Sequence, residues 1–209
     1  MTQVTAHPFA PTLTYQIGPA LYINITNRCN ADCVFCDRKG AAVMEGYSLK
    51  MEKDQEPKAE AYIREIGDPK KYTEIVFCGY GEPTIRWDVV KAIARFIKDS
   101  GGTTRLNTNG HGNVINHCDI TPELSGLIDT VSISLNSTDP EQYAALMKVP
   151  ASMHGEMLDF ARRAKAFTRV ILSIVGIPEV DVAAARKLAT GQLGVEFRER
   201  AYFGDEHRP

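Results

Sequence analysis

The chain has 209 residues, 44% of them hydrophobic, and a net charge of −2. That length supports one substantial core with no room for a second domain, and the near-neutral balance gives no broad basic footprint for nucleic acid or an anionic membrane. No run approaches the roughly eighteen apolar residues of a spanning helix, residues 1–20 lack the pattern of a secretory leader, and five cysteines, three of them clustered, do not make a disulfide framework. A reducing, cytoplasmic setting without membrane contact is expected.

Residues 1–19 carry Pro8, Pro11 and Pro19 with little periodicity and read as an extended N-terminal arm. A first strand at residues 21–25 runs into Asn27-Arg28 and then Cys29, Cys33 and Cys36. On a loop leaving a strand, this C-x3-C-x2-C spacing can bring three thiolates to three corners of a cuboidal iron–sulfur cluster, with no fourth cysteine near. One iron would stay open, inviting a further ligand much as catalytic zinc keeps a free position. A zinc knuckle is the plainer alternative, but such sites are ordinarily paired C-x2-C with four ligands. Cys78 and Cys118 stand alone.

Residues 40–55 are irregular and polar, after which Pro57 starts a helix whose Ala59, Tyr62, Ile63 and Ile66 share one face and which Gly67 stops. The apolar run at residues 74–78 reads as a buried parallel strand ending in GYGEP, residues 79–83. A helix with Val89, Val90, Ile93 and Ile97 on one stripe follows, then a strand at residues 103–107 ending in NTNG. Thr121-Pro122 are predicted as N-cap and first residue of a short helix, and TVSISL at residues 130–135 is a strand ending in Asn136. Asp139-Pro140 cap a helix around Tyr143, Leu146 and Met147, and another carries Met157, Phe160, Ala161, Ala164 and Phe167. A fifth strand at residues 170–175 breaks at Gly176, Asp181 caps a helix with Ala184, Ala185 and Leu188, and a sixth strand at residues 195–197 leads into RERAY.

Strands alternating with helices define an α/β fold with a parallel sheet and right-handed crossovers that put the helices outside. Eight units close a barrel of about 250 residues; the six visible here predict a partial (β/α)6 barrel in a single domain. Reactive groups in barrels sit at the C-terminal strand ends, and those ends carry the cysteine loop, GYGEP, NTNG, SLN, GIPE and RERAY.

The three cysteines, with Phe35 just before the third, resemble the motif of the radical S-adenosylmethionine (radical SAM) superfamily. The resemblance implies the same partial barrel and two cofactors, a [4Fe–4S] cluster and S-adenosylmethionine. The open iron would be chelated by the amino and carboxylate groups of S-adenosylmethionine. One electron, from an external reductant of flavodoxin or ferredoxin type, would cleave the sulfonium to a 5'-deoxyadenosyl radical that abstracts hydrogen from a substrate. Gly79, Tyr80, Gly81 and Glu82 resemble the family's GGEP element and are expected at the methionine amino group. Asn107, Thr108 and Asn109, with Ser134 and Asn136 on the next strand, would face the ribose and carboxylate, and Phe35 with the segment at Gly176 would form the adenine slot. The strings LYINITNRC, FCGYGEPTIR, RLNTNG, VSISLN and FRERAY together look like the TatD-associated radical SAM proteins, which suggests a functional link to a TatD-family partner.

The leading expectation is therefore a radical SAM enzyme of unknown substrate. The alternatives are an enzyme that activates a glycyl-radical protein and a non-catalytic iron–sulfur sensor, against which Glu82, Ser134 and Asn136 weigh. Arg28, Arg86 and Arg105 each stand beside a motif, and His111, His117 and His154 read as polar loop groups. Arg198 and Arg200 alternate onto one face of the sixth strand and are candidates to hold an anionic group of the substrate; pairing with Glu199, Glu196 or Asp205 is the competing expectation.

Overall fold

The computed structural model describes residues 11–200. Its first elements are a hairpin, β1 (Thr14–Ile17) antiparallel to β2 (Ala20–Asn24), turned at Gly18 with φ 56°. This corrects the expected arm: residues 14–17 are the edge strand of the sheet, and Tyr15 is buried against Tyr22 with ring centroids 5.3 Å apart. Residues 1–10 lie outside the described residues.

The cysteine loop follows, then a small hairpin of β3 (Val43–Met44) and β4 (Tyr47–Ser48) in a stretch expected to be irregular. Its two-residue turn, Glu45-Gly46, has positive φ at both positions (48° and 81°), the type I′ geometry that matches strand twist. Helix α1 (Ala59–Ile66) ends at Gly67 with φ 62° and leads to β5 (Ile75–Cys78). Helix α2 (Trp87–Asp99) and β6 (Thr104–Thr108) come next. A short helix, α3 (Gly112–Asn116), had no apolar period to announce it. The predicted N-cap at Thr121 is also displaced: the Asp119 carboxylate accepts from the Thr121 backbone N–H at 3.0 Å and from its hydroxyl at 2.7 Å.

The remaining units are β7 (Thr130–Ser134), α4 (Pro140–Met147), α5 (Ser152–Ala164), β8 (Arg169–Val175), α6 (Val182–Arg186) and β9 (Glu196–Arg200). Asp139 and Asp181 cap their helices as expected, accepting from the Gln142 and Ala184 N–H groups. Helix α6 widens into π-type turns over Lys187–Leu193 before β9.

The sheet has seven strands in the order β1-β2-β5-β6-β7-β8-β9, all neighbours parallel except β1 and β2. The parallel part is the predicted six-unit partial barrel. Its outer face carries Ile23, Phe77, Leu106, Val131, Ile133 and Leu172, buried against Val90, Ile93 and Ile97 of α2 and Met157, Phe160 and Ala164 of α5. At about 25 cal/mol per Å² this face is the principal stabilising surface, and it leaves the inner face free for other side chains.

Candidate active site

A cavity of about 630 Å³ opens at the C-terminal ends of the strands. It is lined by Cys29, Cys33, Cys36 and Phe35 from the first loop, by Gly79, Tyr80, Gly81 and Glu82 after β5, and by Asn107, Thr108 and Asn109 at the end of β6. Ser134, Asn136, Arg198 and Arg200 complete the predicted residues on its wall. Gly176 is not among the residues lining the cavity, and a side chain there would meet the Glu199 carboxylate at 2.9 Å. Its neighbour Val175 supplies the apolar surface at that level.

The cysteine loop is held by its surroundings. The Asp32 and Val34 N–H groups donate to the Met147 and Leu146 carbonyls at the end of α4, at 3.0 and 2.9 Å. The Arg38 guanidinium donates to the Ala31 carbonyl at 3.0 Å and pairs with Asp32 at 3.3 Å. Behind Cys29, the Asn109 amide donates to Asn30 Oδ1 at 2.8 Å and approaches Cys29 Sγ at 3.8 Å. The Asn30 amide then donates to His111 Nδ1 at 2.9 Å, which leaves His111 Nε2 as the protonated nitrogen, 2.8 Å from the Tyr143 hydroxyl. His111 is fully buried, contrary to its expected place in a polar loop, and burial pushes its pKa down to about 4.

The thiols face each other across desolvated space. Burial, then the Glu82 charge, pushes the Cys29 thiol up to about 11; burial, then its neighbouring cysteines, pushes Cys33 up to about 12. Such thiols stay protonated unless a cation displaces the proton. All three cysteines are free, and among the described residues no three His, Cys, Asp or Glu side chains converge closely enough for a single ion.

Glu82 has a role beyond the one its motif implies. It is 2% exposed, with Oε1 accepting from the Thr84 N–H and hydroxyl and from the Thr108 hydroxyl at 3.1, 2.8 and 2.8 Å, and Oε2 accepting from the Asn109 N–H at 2.7 Å. It thus ties the GYGEP turn to the end of β6, leaving Oε2 with acceptor capacity toward the cavity. Burial raises its pKa, with the four hydrogen bonds opposing. The glycines of the turn answer to this chain's own packing. Gly79 has φ 105°, and a side chain on Gly81 would strike the Thr26 and Arg28 carbonyls at 2.3 and 2.4 Å. The Tyr80 hydroxyl donates to the Val43 carbonyl at 2.7 Å and so holds the β3–β4 hairpin at the cavity rim.

Buried carbonyl oxygens on Asn107 and Asn136 have no donor among the described residues, and unsatisfied groups of this kind in a cavity wall ask for a ligand that donates. Of the three arginines beside motifs, Arg28 and Arg86 are structural: Arg28 pairs with Glu56 at 2.7 Å, and Arg86 donates to the Ile25 carbonyl at 2.9 Å. Arg105 reaches the cavity wall but is paired with Glu74 at 2.8 Å. Cys78, Ser132, Ser173 and Met147 also line the cavity and were not anticipated, although Ser132 and Ser173 fall on the inward positions that strand alternation assigns. Cys118 is exposed.

A family model described as the radical SAM superfamily matches residues 23–189. The chain is 27% identical over 124 residues to a probable GTP 3',8-cyclase of Methanothermobacter marburgensis, covering 59% of this chain and 37% of that protein. It is 26% identical over 145 residues to a probable dual-specificity RNA methyltransferase RlmN of Lachnoclostridium phytofermentans, covering 67% of this chain and 38% of that protein. The chain thus spans about two fifths of the length of these curated relatives. Among solved structures, Streptococcus suis SuiB bound to S-adenosylmethionine aligns with a TM-score of 0.66 at 17% identity, over 88% of this chain and 40% of that one. TYW1 with a lysine-pyruvate adduct aligns at 0.62 and 14% identity, over 91% of this chain and 67% of that one; at such identities these two establish the fold. No described helix is long and apolar enough to cross a membrane. The family match over most of the sequence, on a fold that collects the three cysteines at one cavity, places the chain in the radical SAM superfamily, whose members are enzymes that use a [4Fe–4S] cluster and S-adenosylmethionine and draw electrons from an external reductant.

Proposed function

We propose that the chain is a radical SAM enzyme in which Cys29, Cys33 and Cys36 hold the cluster and the opposite wall holds S-adenosylmethionine. The observation that carries this reading is the convergence of five strand-end segments on one cavity that also contains the three cysteines. When bound, the two cofactors supply a 5'-deoxyadenosyl radical for hydrogen abstraction. The chain's own part is to position and to exclude water. Glu82 Oε2 and the carbonyls of residues 79–81 accept from the methionine ammonium, and Asn107, Thr108 and Asn109, with Ser134 and Asn136, take the ribose and carboxylate. Phe35 and Val175 flank the adenine. The Asn109–Asn30–His111–Tyr143 network keeps the cysteine loop in register with this wall.

The described residues act as one core on this reading. The motif strings that run through the chain favour the TatD-associated group, with a TatD-family protein as functional partner and a flavodoxin- or ferredoxin-type electron donor. The test is anaerobic reconstitution with iron and sulfide, reduction with dithionite and quantitation of 5'-deoxyadenosine. Release that depends on all three cysteines is expected; a reconstituted cluster that never cleaves S-adenosylmethionine would overturn the enzymatic reading and leave a sensor.

A further inference from the structure

The inner face of the sheet carries polar side chains up to the cavity mouth. At successive levels toward the cavity mouth the register aligns Asn107 with Ser132, then Ser134 with Ser173 and Arg198, then Val175 with Arg200. The two guanidiniums therefore stand on the last strand beside a patch of hydroxyls, two residues apart and facing the same space.

Their counter-charges are engaged elsewhere. Glu196, on the same face of β9, is held by Arg169 through two contacts of 2.5 Å. Glu199 points to the other face, beside Gly176, and Asp205 lies outside the described residues. Of the carboxylates on the cavity wall, Glu82 is enclosed by its four donors and Asp37 accepts from the Ala42 N–H at 3.1 Å. Glu45 sits on the hairpin at the rim, and none of these forms an ion pair with either arginine among the described residues. The hydrogen bond recorded for Arg200 is a long one, 3.5 Å to the Ser134 hydroxyl. Surrounding protein, together with the like charge of Arg198, lowers the Arg200 pKa even though the side chain reaches solvent through the open mouth. The two guanidiniums, both exposed to the cavity mouth and in no ion pair among the described residues, present a fork geometry that suits carboxylate or phosphate.

S-adenosylmethionine itself carries a carboxylate, and Arg200 lies beside Ser134 and Val175 on the same cavity wall; the affinity of the variants for S-adenosylmethionine therefore separates a substrate anchor from a cofactor contact.

We propose that Arg198 and Arg200 form the anion-binding end of the substrate site and take a carboxylate or phosphate group of the molecule whose hydrogen is abstracted. This rests on the radical SAM reading of the cavity. The test uses purified protein without S-adenosylmethionine, titrated calorimetrically with inorganic phosphate and, separately, with malonate. The wild-type protein is expected to bind at least one probe, the stronger naming the group, and Arg198→Met and Arg200→Met should each weaken it at least tenfold, as loss of a charge-assisted hydrogen bond implies. Arg198→Lys and Arg200→Lys, which keep the charge and lose the fork, should bind more weakly than wild type and carry the test if the methionine variants fail to fold. S-adenosylmethionine affinity should be little changed throughout. Absence of probe binding by the wild-type protein, or unchanged binding by the double methionine variant, would overturn the proposal. So would a parallel fall in S-adenosylmethionine affinity, which would mean that the arginines hold the cofactor. Failure of the wild-type protein to release 5'-deoxyadenosine would instead remove the proposed reaction and leave the anion measurement standing.

Discussion

Along β6, β7 and β8 the outward residues Leu106, Val131, Ile133, Val170, Leu172 and Ile174 are buried under helices, whereas the inward residues include Arg105, Asn107, Ser132, Ser134 and Ser173 beside the apolar Ile171 and Val175. One backbone thus presents two unlike surfaces, because successive side chains point to opposite sides. The outer face is satisfied by its own chain. The inner face is not: Asn107 and Asn136 leave orphaned carbonyl oxygens, and Arg198 and Arg200 form no ion pair among the described residues. A surface left incomplete beside three cysteines is one that ligands complete, so substitutions on the two faces should divide cleanly between stability and cofactor binding.

The largest effects should come at the extremes of that division. Cys29→Ala, Cys33→Ala or Cys36→Ala is expected to abolish the cluster outright, read as loss of iron and of visible absorption after reconstitution, while Cys78→Ala keeps it; retention in the Cys33 variant would break the ligand assignment. On the outer face Phe160 is fully buried, and Phe160→Ala should cost about 3–5 kcal/mol in urea denaturation without altering the iron that the folded fraction binds.

The two faces were unequally legible in the sequence. Runs such as EIVFC and the stripe Val89, Val90, Ile93 and Ile97 announce buried strands and helices because apolar burial leaves a period. The three cysteines and GYGEP were legible because cofactor chemistry restricts both residue type and spacing. Other features leave no such trace. The β3–β4 hairpin has only two residues per strand, too few for a period, and β9, expected at residues 195–197, runs on to Arg200 because β8 offers it a partner edge. His111 read as a loop residue because only tertiary packing shows that Tyr143 and Asn30 enclose it. Within the segment expected beside the adenine, Val175 ends β8 on the cavity side and Gly176 follows just past the strand.

Two smaller effects test the seam where the faces meet. His111 is held neutral in the fold, whereas in the unfolded chain it takes a proton near pH 6.5. Its contribution is therefore intact above about 6.5 and is lost as pH falls toward 4, by about 1.4 kcal/mol per unit and about 3 kcal/mol in all. Denaturant titrations of the cluster-free protein across that range should show this slope, and His111→Gln should flatten it; an unchanged slope would place the acid sensitivity elsewhere. Glu82→Gln should cost about 1–3 kcal/mol, because the amide nitrogen must face donors that now point at an oxygen. It should also weaken S-adenosylmethionine binding, whereas lost affinity with unchanged stability would mean that the four-donor cradle contributes little.

The smallest expected effect is the sharpest about the inner face. Asn107 places a buried carbonyl oxygen where no donor meets it, and its amide makes one long contact, 3.5 Å to Cys78 Sγ. Removing an unsatisfied acceptor relieves a desolvation penalty, while losing a weak N–H···S contact costs little, so Asn107→Ala should leave stability unchanged or raise it by less than about 1 kcal/mol. The same change should lower affinity for S-adenosylmethionine if the orphaned oxygen is completed by a cofactor hydroxyl. Stability from urea denaturation and affinity from titration of the reconstituted protein should then move in opposite directions, the pattern of a site kept imperfect for its ligand. Both falling together would show that Asn107 supports the strand end, and stability rising with affinity untouched would place the cofactor on another part of the wall.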